Sequence, residues 1–165
     1  MEIDIIHACS FTGHRPERLE GVTEEQVIAW LEEQIKAAVV DGFTDFVTGM
    51  QRGVDLWAAE IVLKLREYNP KLRLFSACAF PGMETKWEKS WQERYEKVLK
   101  SADGYCYVSK RPGRKAFYDR NEWMVGHSSR LIAVYTGAHG GTLETIKYAK
   151  ANSKEVIRIR REDFV

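Results

Sequence analysis

Phe43-Thr44-Asp45-Phe46-Val47-Thr48-Gly49-Met50-Gln51-Arg52-Gly53-Val54-Asp55 holds the pattern that decides the fold of this chain. The run Phe43 to Thr48 reads as a strand, a turn bearing two glycines follows, and helical spacing then continues to about Tyr68. Asn69-Pro70 stops that helix. A strand passed through a glycine turn straight into a helix is most of a βαβ unit, and βαβ units build parallel sheets.

The same order recurs outward in both directions. Ile5 to Phe11 reads as the first strand. Thr23, with Gln26 three residues on, makes a capping box for a helix running to about Asp41. Its spacing buries Val27, Trp30, Leu31, Ile35 and Ala38, and Gly42 ends it. Leu72 to Phe80 is a third strand, broken by Pro81-Gly82. Glu84 to Ser101 reads as helix, Gly104 to Ser109 as strand, Lys110 to Lys115 as a basic loop and Phe117 to His127 as helix. Arg130 to Thr136 is a fifth strand, Thr142 to Ala151 a helix and Glu155 to Ile159 a last strand. The expected fold is a single Rossmann-like α/β domain over residues 1–165, a mostly parallel sheet with helices on both faces.

Bulk composition narrows the function. The 165 residues are 44% hydrophobic and 30% charged with a net charge of +1, so no global field favours nucleic acid or an anionic membrane. The acidic N-terminus and the lack of a long apolar run predict neither signal peptide nor membrane span, and a cytoplasmic protein. Three cysteines with no CxxC pair, Cys9, Cys78 and Cys106, read as buried thiols. The four histidines show no ligand spacing with them, so no metal is expected.

Chemistry concentrates in three glycine-bearing turns, each after an apolar run: Thr12-Gly13-His14-Arg15, the Gly49–Asp55 turn, and Gly137 to Thr142. Glycine lets backbone approach a ligand closely, and a helix N-terminus offers free N–H donors with partial positive charge. On one parallel sheet such turns converge on a crevice at the C-terminal edge. In the first turn, Gly13 stands beside His14 and Arg15; the imidazole either binds phosphate, moves a proton or holds the loop. In the second, Gly49 and Gly53 allow a compact loop; Arg52 contacts phosphate or solvent. Asp55 either caps its helix, stabilising by roughly 0.5–2 kcal/mol, or accepts from a ribose hydroxyl. In the third, Gly140-Gly141 opens a helix as an anion cradle, and the Thr142 hydroxyl adds a hydrogen bond. None matches GxGxxG or GxxxxGK followed by Ser or Thr, which speaks against a dehydrogenase or P-loop NTPase.

Taken in order, Ser10-Phe11-Thr12-Gly13-His14-Arg15-Pro16, the segment Gly49 to Ala58, Arg120-Asn121-Glu122-Trp123-Met124-Val125 and Tyr135-x-Gly137-x-x-Gly140-Gly141-Thr142 resemble the YpsA-like branch of the SLOG superfamily. That superfamily unites the DNA-processing protein DprA with the LOG nucleotide hydrolases. The resemblance covers about Cys9 to Ala149. It implies a Rossmann-like fold binding a nucleotide or nucleotide-derived ligand at the strand ends, with Asn121 as a further ribose contact. LOG enzymes use an arginine in RK-x-x-M, which Arg120 with Met124 resembles, and a glutamate in PGG-x-GT-x-x-E. Aligning Gly141-Thr142 with GT places that glutamate on Thr145; Glu144 is one residue early, about 100° around a helix.

The leading expectation is therefore a nucleotide-binding sensor or regulatory module with no certain cofactor. Its ligand-binding residues would be Gly13, His14, Arg15, Gly49, Arg52, Gly53, Asp55, Arg120, Asn121, Gly140, Gly141 and Thr142. An alternative is a LOG-like hydrolase of a nucleotide N-glycosidic or phosphate bond, with Arg120 and Glu144 catalytic, or Glu122 or Asp55 as the carboxylate. Another is a DprA-like binder of single-stranded DNA through Lys110 to Lys115, which near-neutral charge disfavours. Trp87, Trp91, Tyr95 and Leu99 form a stripe at helical spacing, read as core or as the face of a homo-oligomer.

Overall fold

The computed structural model describes residues 1–137 and 139–164. Six strands alternate with five helices. The strands are β1 (Ala8–Gly13), β2 (Asp45–Thr48), β3 (Arg73–Cys78), β4 (Gly104–Tyr107), β5 (Arg130–Val134) and β6 (Glu155–Arg158). The helices are α1 (Glu24–Val40), α2 (Val54–Arg66), α3 (Lys89–Ser101), α4 (Arg114–Gly126) and α5 (Gly141–Ala151). Every strand pair is parallel, in the order β4-β3-β2-β1-β5-β6.

Side-chain alternation along the strands divides the core. Cys9, Phe11, Phe46, Leu74, Ile132 and Val134 turn to the face covered by α1, α2 and α3. Val47, Phe75 and Ala77, with Leu131 and Ala133, turn to the face covered by α4 and α5, where Met124, Val125 and Ile146 meet them. Strands buried on both faces explain why the sequence shows apolar runs rather than clean alternation. Helix α1 buries the five residues its spacing selects, and Trp57 of α2 packs on Trp91 of α3 at 6.1 Å. In the aromatic stripe Tyr95 is buried, while Trp87, Trp91 and Leu99 pack half-buried on the same core.

Three boundaries differ from the sequence expectation. Ile5–His7 forms a 3-10 turn with no buried residue, because only from Ala8 onward does the chain have a neighbour on each side. Glu84 to Glu88 precede α3 as turns, held by Gln92, whose side-chain amide donates to the carbonyls of Glu84 and Thr85. Helix α4 starts at Arg114, so part of the basic loop is already helical. The cysteines are free; Cys9 and Cys78 are buried, with their thiols pushed up to about 12 and 11 by desolvation.

The capping box is formed as expected: the amide of Gln26 donates to Thr23 Oγ1 at 3.1 Å, and the Thr23 amide donates to Gln26 Oε1 at 2.9 Å. Thr23→Ala should lower stability by about 1 kcal/mol in denaturant unfolding, and Thr23→Ser should restore most of it.

Candidate ligand-binding site

From β1 the sheet grows through β2 and β3 to β4 on one side, and from β5 to β6 on the other. The loops leaving the C-terminal ends of β1 and β5 therefore diverge to opposite faces and leave a crevice between them, the place where open α/β sheets hold ligands. A cavity of about 460 Å³ lies there. One wall is the end of β1 with the loop after it, Thr12 to Arg15, and Arg18 from the 3-10 turn that follows. The facing wall is the turn Gly140-Gly141-Thr142. Gly113, Arg114, Phe117, Tyr118, Arg120 and Asn121 of α4 and its approach form the side, and Gln51 and Asp55 the floor.

Each glycine turn has its own physical role. At Gly13 an added Cβ would sit 2.6 Å from Val54 Cβ, so the end of β1 lies directly on the start of α2. Gly53 has φ +95°, a left-handed conformation, and a Cβ there would meet Pro16 Cδ at 2.9 Å. The third turn opens α5 with no side-chain cap, and Gly140, Gly141 and Thr142, whose N–H groups have no intrahelical acceptor, line the cavity.

Arg120 and Asp55 make the polar centre. Arg120 is 4% exposed; its Nη1 donates to the carbonyl of Gly49 and its Nε donates to Asn121 Oδ1 at 2.9 Å. Its guanidinium also lies 5.6 Å from the Phe117 ring centroid. Asp55 is 7% exposed and accepts from the Gln51 amide at 3.3 Å. Desolvation pushes its carboxyl up to about 6, against the opposing pull of Arg120. Desolvation also lowers the Arg120 guanidinium, which still remains charged, with Asp55 opposing the shift.

His14 is buried, and its Nε2 accepts from the Thr136 amide at 3.2 Å. Burial and then Arg18 hold the imidazole below its ordinary value. An unprotonated Nε2 paired with backbone fits a neutral ring that ties the loop after β1 to the end of β5. Tyr135 packs on that ring at 5.6 Å.

Among the residues expected to bind ligand, Gly13, His14, Arg15, Asp55, Arg120, Asn121, Gly140, Gly141 and Thr142 line one cavity. Gly49 and Gly53 stand behind its floor. Arg52 points away into a bidentate pair with Glu17 at 2.6 and 2.7 Å. Glu144 lies in a separate groove between α4 and α5, and the Thr145 hydroxyl donates to the carbonyl of Gly141 at 2.6 Å. Sequence reading marked Arg114 only as part of the basic loop Lys110 to Lys115, and missed Arg18, Phe117, Tyr118 and Gln51. Arg18 follows Arg15 at one 3-10 turn and Phe117 precedes Arg120 at i−3, spacings that become visible only once those turns are known to face the crevice.

Fold and cavity define a Rossmann-like α/β protein with a basic crevice at its topological switch point. The chain belongs to the YspA SLOG family, whose model matches residues 9–162. It is 31% identical over 156 residues to a UPF0398 protein of Shouchella clausii, covering 88% of this chain and 82% of that one. A UPF0398 protein of Halalkalibacterium halodurans is 34% identical over 106 residues, 63% of this chain and 56% of its own length. In fold the chain is similar to DprA of Streptococcus pneumoniae, with TM-score 0.68 and 16% identity over 94% of this chain and 50% of that one. DprA of Helicobacter pylori, described for its single-stranded DNA binding mode, gives TM-score 0.64 and 16% identity, over 95% and 66%. The chain thus spans only about half the length of the pneumococcal protein.

The raised Asp55 carboxyl makes a testable linkage. Folding holds the proton on Asp55 above its ordinary 3.8, so the folded state binds more protons than the unfolded one from there to about pH 6. This group therefore lowers stability as pH rises through that window, by on the order of 3 kcal/mol in all, and no further above it. Asp55→Asn should flatten that segment of the stability profile and melt higher than the parent at pH 7.5. A parallel downward offset of the whole curve would contradict the assignment.

Proposed function

We propose that this chain binds a nucleotide or nucleotide-derived ligand in the cavity between the β1 and β5 loops, as a sensor or regulatory module. The observation that carries this reading is the state of the arginines. Arg52, Arg66, Arg73, Arg94 and Arg130 each hold a carboxylate within 4.0 Å. Arg15, Arg18 and Arg114 line the cavity, and among the described residues none has such a partner; Arg111, Arg158 and Arg160 also lack one, but only here do three converge on one cavity with the start of a helix. Gathering three guanidiniums that lack a carboxylate partner opposite the open N-terminus of α5, with Arg18 donating to the His139 carbonyl at 3.5 Å, sets up like-charge repulsion. A multiply charged anion relieves it, and Arg presents a fork that matches phosphate oxygens. Phe117 and Tyr118 add aromatic surface, and Asp55 and Asn121 stand where sugar hydroxyls need acceptors and donors.

Hydrolysis is less well supported. Asp55 is the one carboxylate among the described residues that line the cavity, while Glu144 faces the neighbouring groove. A single-stranded nucleic acid is a second reading, favoured by Lys110, Arg111 and Lys115 around Arg114 at the same edge. The two separate cleanly by salt, because an extended strand loses affinity steeply as counterions compete.

Thermal unfolding against nucleoside mono- and diphosphates, NAD and ADP-ribose tests the reading. A ligand at 100 times its Kd stabilises by about 2.7 kcal/mol, which raises Tm by roughly 5–10 °C at this size. Arg18→Ala/Arg114→Ala should remove that shift while leaving the Tm of the free protein within about 1–2 °C, since both side chains are exposed and neither is held by a carboxylate among the described residues. A shift that persists in the double variant would place the ligand elsewhere, and no shift with any compound would point to a macromolecular partner.

A further inference from the structure

We propose that the groove between α4 and α5 is a second subsite, which takes the planar, N–H-bearing base of the ligand whose phosphates occupy the glycine-turn cavity; the inference rests on the nucleotide-binding reading above. The groove encloses about 550 Å³. Tyr118 and Asn121 line both it and the cavity, so the two spaces adjoin. Its α4 wall carries Tyr118 and Glu122, and its α5 wall carries Glu144 and Tyr148. Both pairs are four residues apart and so share a helix face. Each wall therefore offers one aromatic ring and one carboxylate.

Charge divides the two compartments. The cavity is walled by Arg15, Arg18 and Arg114 over Asp55, the groove by Glu122 and Glu144 with Lys147 as the cation among its described lining residues. Glu122 has no ion pair among the described residues, and Glu144 reaches only Lys147, at 3.7 Å with both side chains more than half exposed. Carboxylates repel phosphate and accept hydrogen bonds from ring and exocyclic N–H groups, while tyrosine faces stack on a planar base. Asn121 stands at the junction: its Oδ1 is held by Arg120, and its Nδ2 lies 3.6 Å from where a Cβ on Gly141 would be. A ligand with phosphate on one side and base on the other matches that polarity, whereas a simple anion uses only the cavity.

Calorimetric titration of GDP and of inorganic pyrophosphate into the parent, Tyr148→Ala and Glu144→Gln proteins tests the subsite. The parent should bind GDP at least tenfold more tightly than pyrophosphate. Tyr148→Ala should weaken GDP about tenfold, the effect of losing one base-stacking ring, with pyrophosphate unchanged. Glu144→Gln should weaken GDP alone in the same way, and because Glu144 is exposed this variant keeps its fold even if Tyr148→Ala does not. Pyrophosphate binding with GDP no tighter, or GDP affinity unchanged in both variants, overturns the subsite and leaves the cavity reading standing. Binding of neither probe to the parent overturns the cavity reading and the subsite with it.

Discussion

The backbone of Gly49 is where the two layers of this molecule meet. Arg120 reaches it from α4, on one face of the sheet, and donates to its carbonyl; Asp55 reaches it from α2, on the other. A Cβ at this position would lie 2.7 Å from Asp55 Oδ2 and 2.9 Å from Arg120 Cζ, so the two charged groups occupy the space a side chain would need. Taking a guanidinium and a carboxyl out of water is costly unless their donors and lone pairs are met. Here the carbonyl of Gly49, Asn121 Oδ1 and the Phe117 ring meet the guanidinium, and the Gln51 amide meets the carboxyl. The arrangement fixes α2, α4 and the end of β2 against one another, and with them the floor of the cavity.

That floor is held at a cost in stability. Asp55 sits close enough to Arg120 to feel it, yet desolvation still wins and the carboxyl is raised rather than lowered. The acid at the opposite end of β2 is partnered more fully. Asp45 is fully buried but accepts two bonds from Arg73 at 2.7 and 3.0 Å and one from the Asp4 amide at 2.8 Å. One end of the strand thus carries a satisfied acid and the other an under-satisfied one, and it is the second that faces the crevice. Strain of this kind concentrates where an incoming group is expected to complete the set of partners.

The alternation of strands and helices was legible because each element carries its own local signal: the Thr23 capping box, Pro70 after α2, Gly140-Gly141 before α5. The strand order follows less directly, since nothing local says that β5 lies beside β1 rather than beside β4. It is fixed by which faces of α4 and α5 are apolar, and by the pairing of Phe11 with Ile132 and Gly13 with Val134. The glycines of the cavity were legible from their turns, and Arg120 only through its resemblance to the arginine of a family motif. Arg18 and Phe117 were not, and Arg114 only as one cation of a basic loop, because an arginine or phenylalanine in an amphipathic stretch looks the same whether its tip meets solvent or a cavity. The Asp45–Arg73 pair was missed for a related reason, as its partners are 28 residues apart and meet only across adjacent strands.

The three glycine turns, alike on paper, divide their labour in space. The turn opening α5 sets the uncapped start of a helix at the cavity wall. The turn after β1 uses glycine so that the strand can lie on Val54, which brings His14 and Arg15 over the crevice. The turn after β2 uses one glycine to make room for Arg120 and Asp55, and another, at φ +95°, to enter α2 beneath Pro16. Small residues at a strand-to-helix junction therefore mark close approach in general, and backbone approach to a ligand is one case of it. What turns the three into a single site is that the groups they admit, an imidazole clamp, a buried guanidinium and an uncapped helix end, all converge at the one point where the sheet reverses its order.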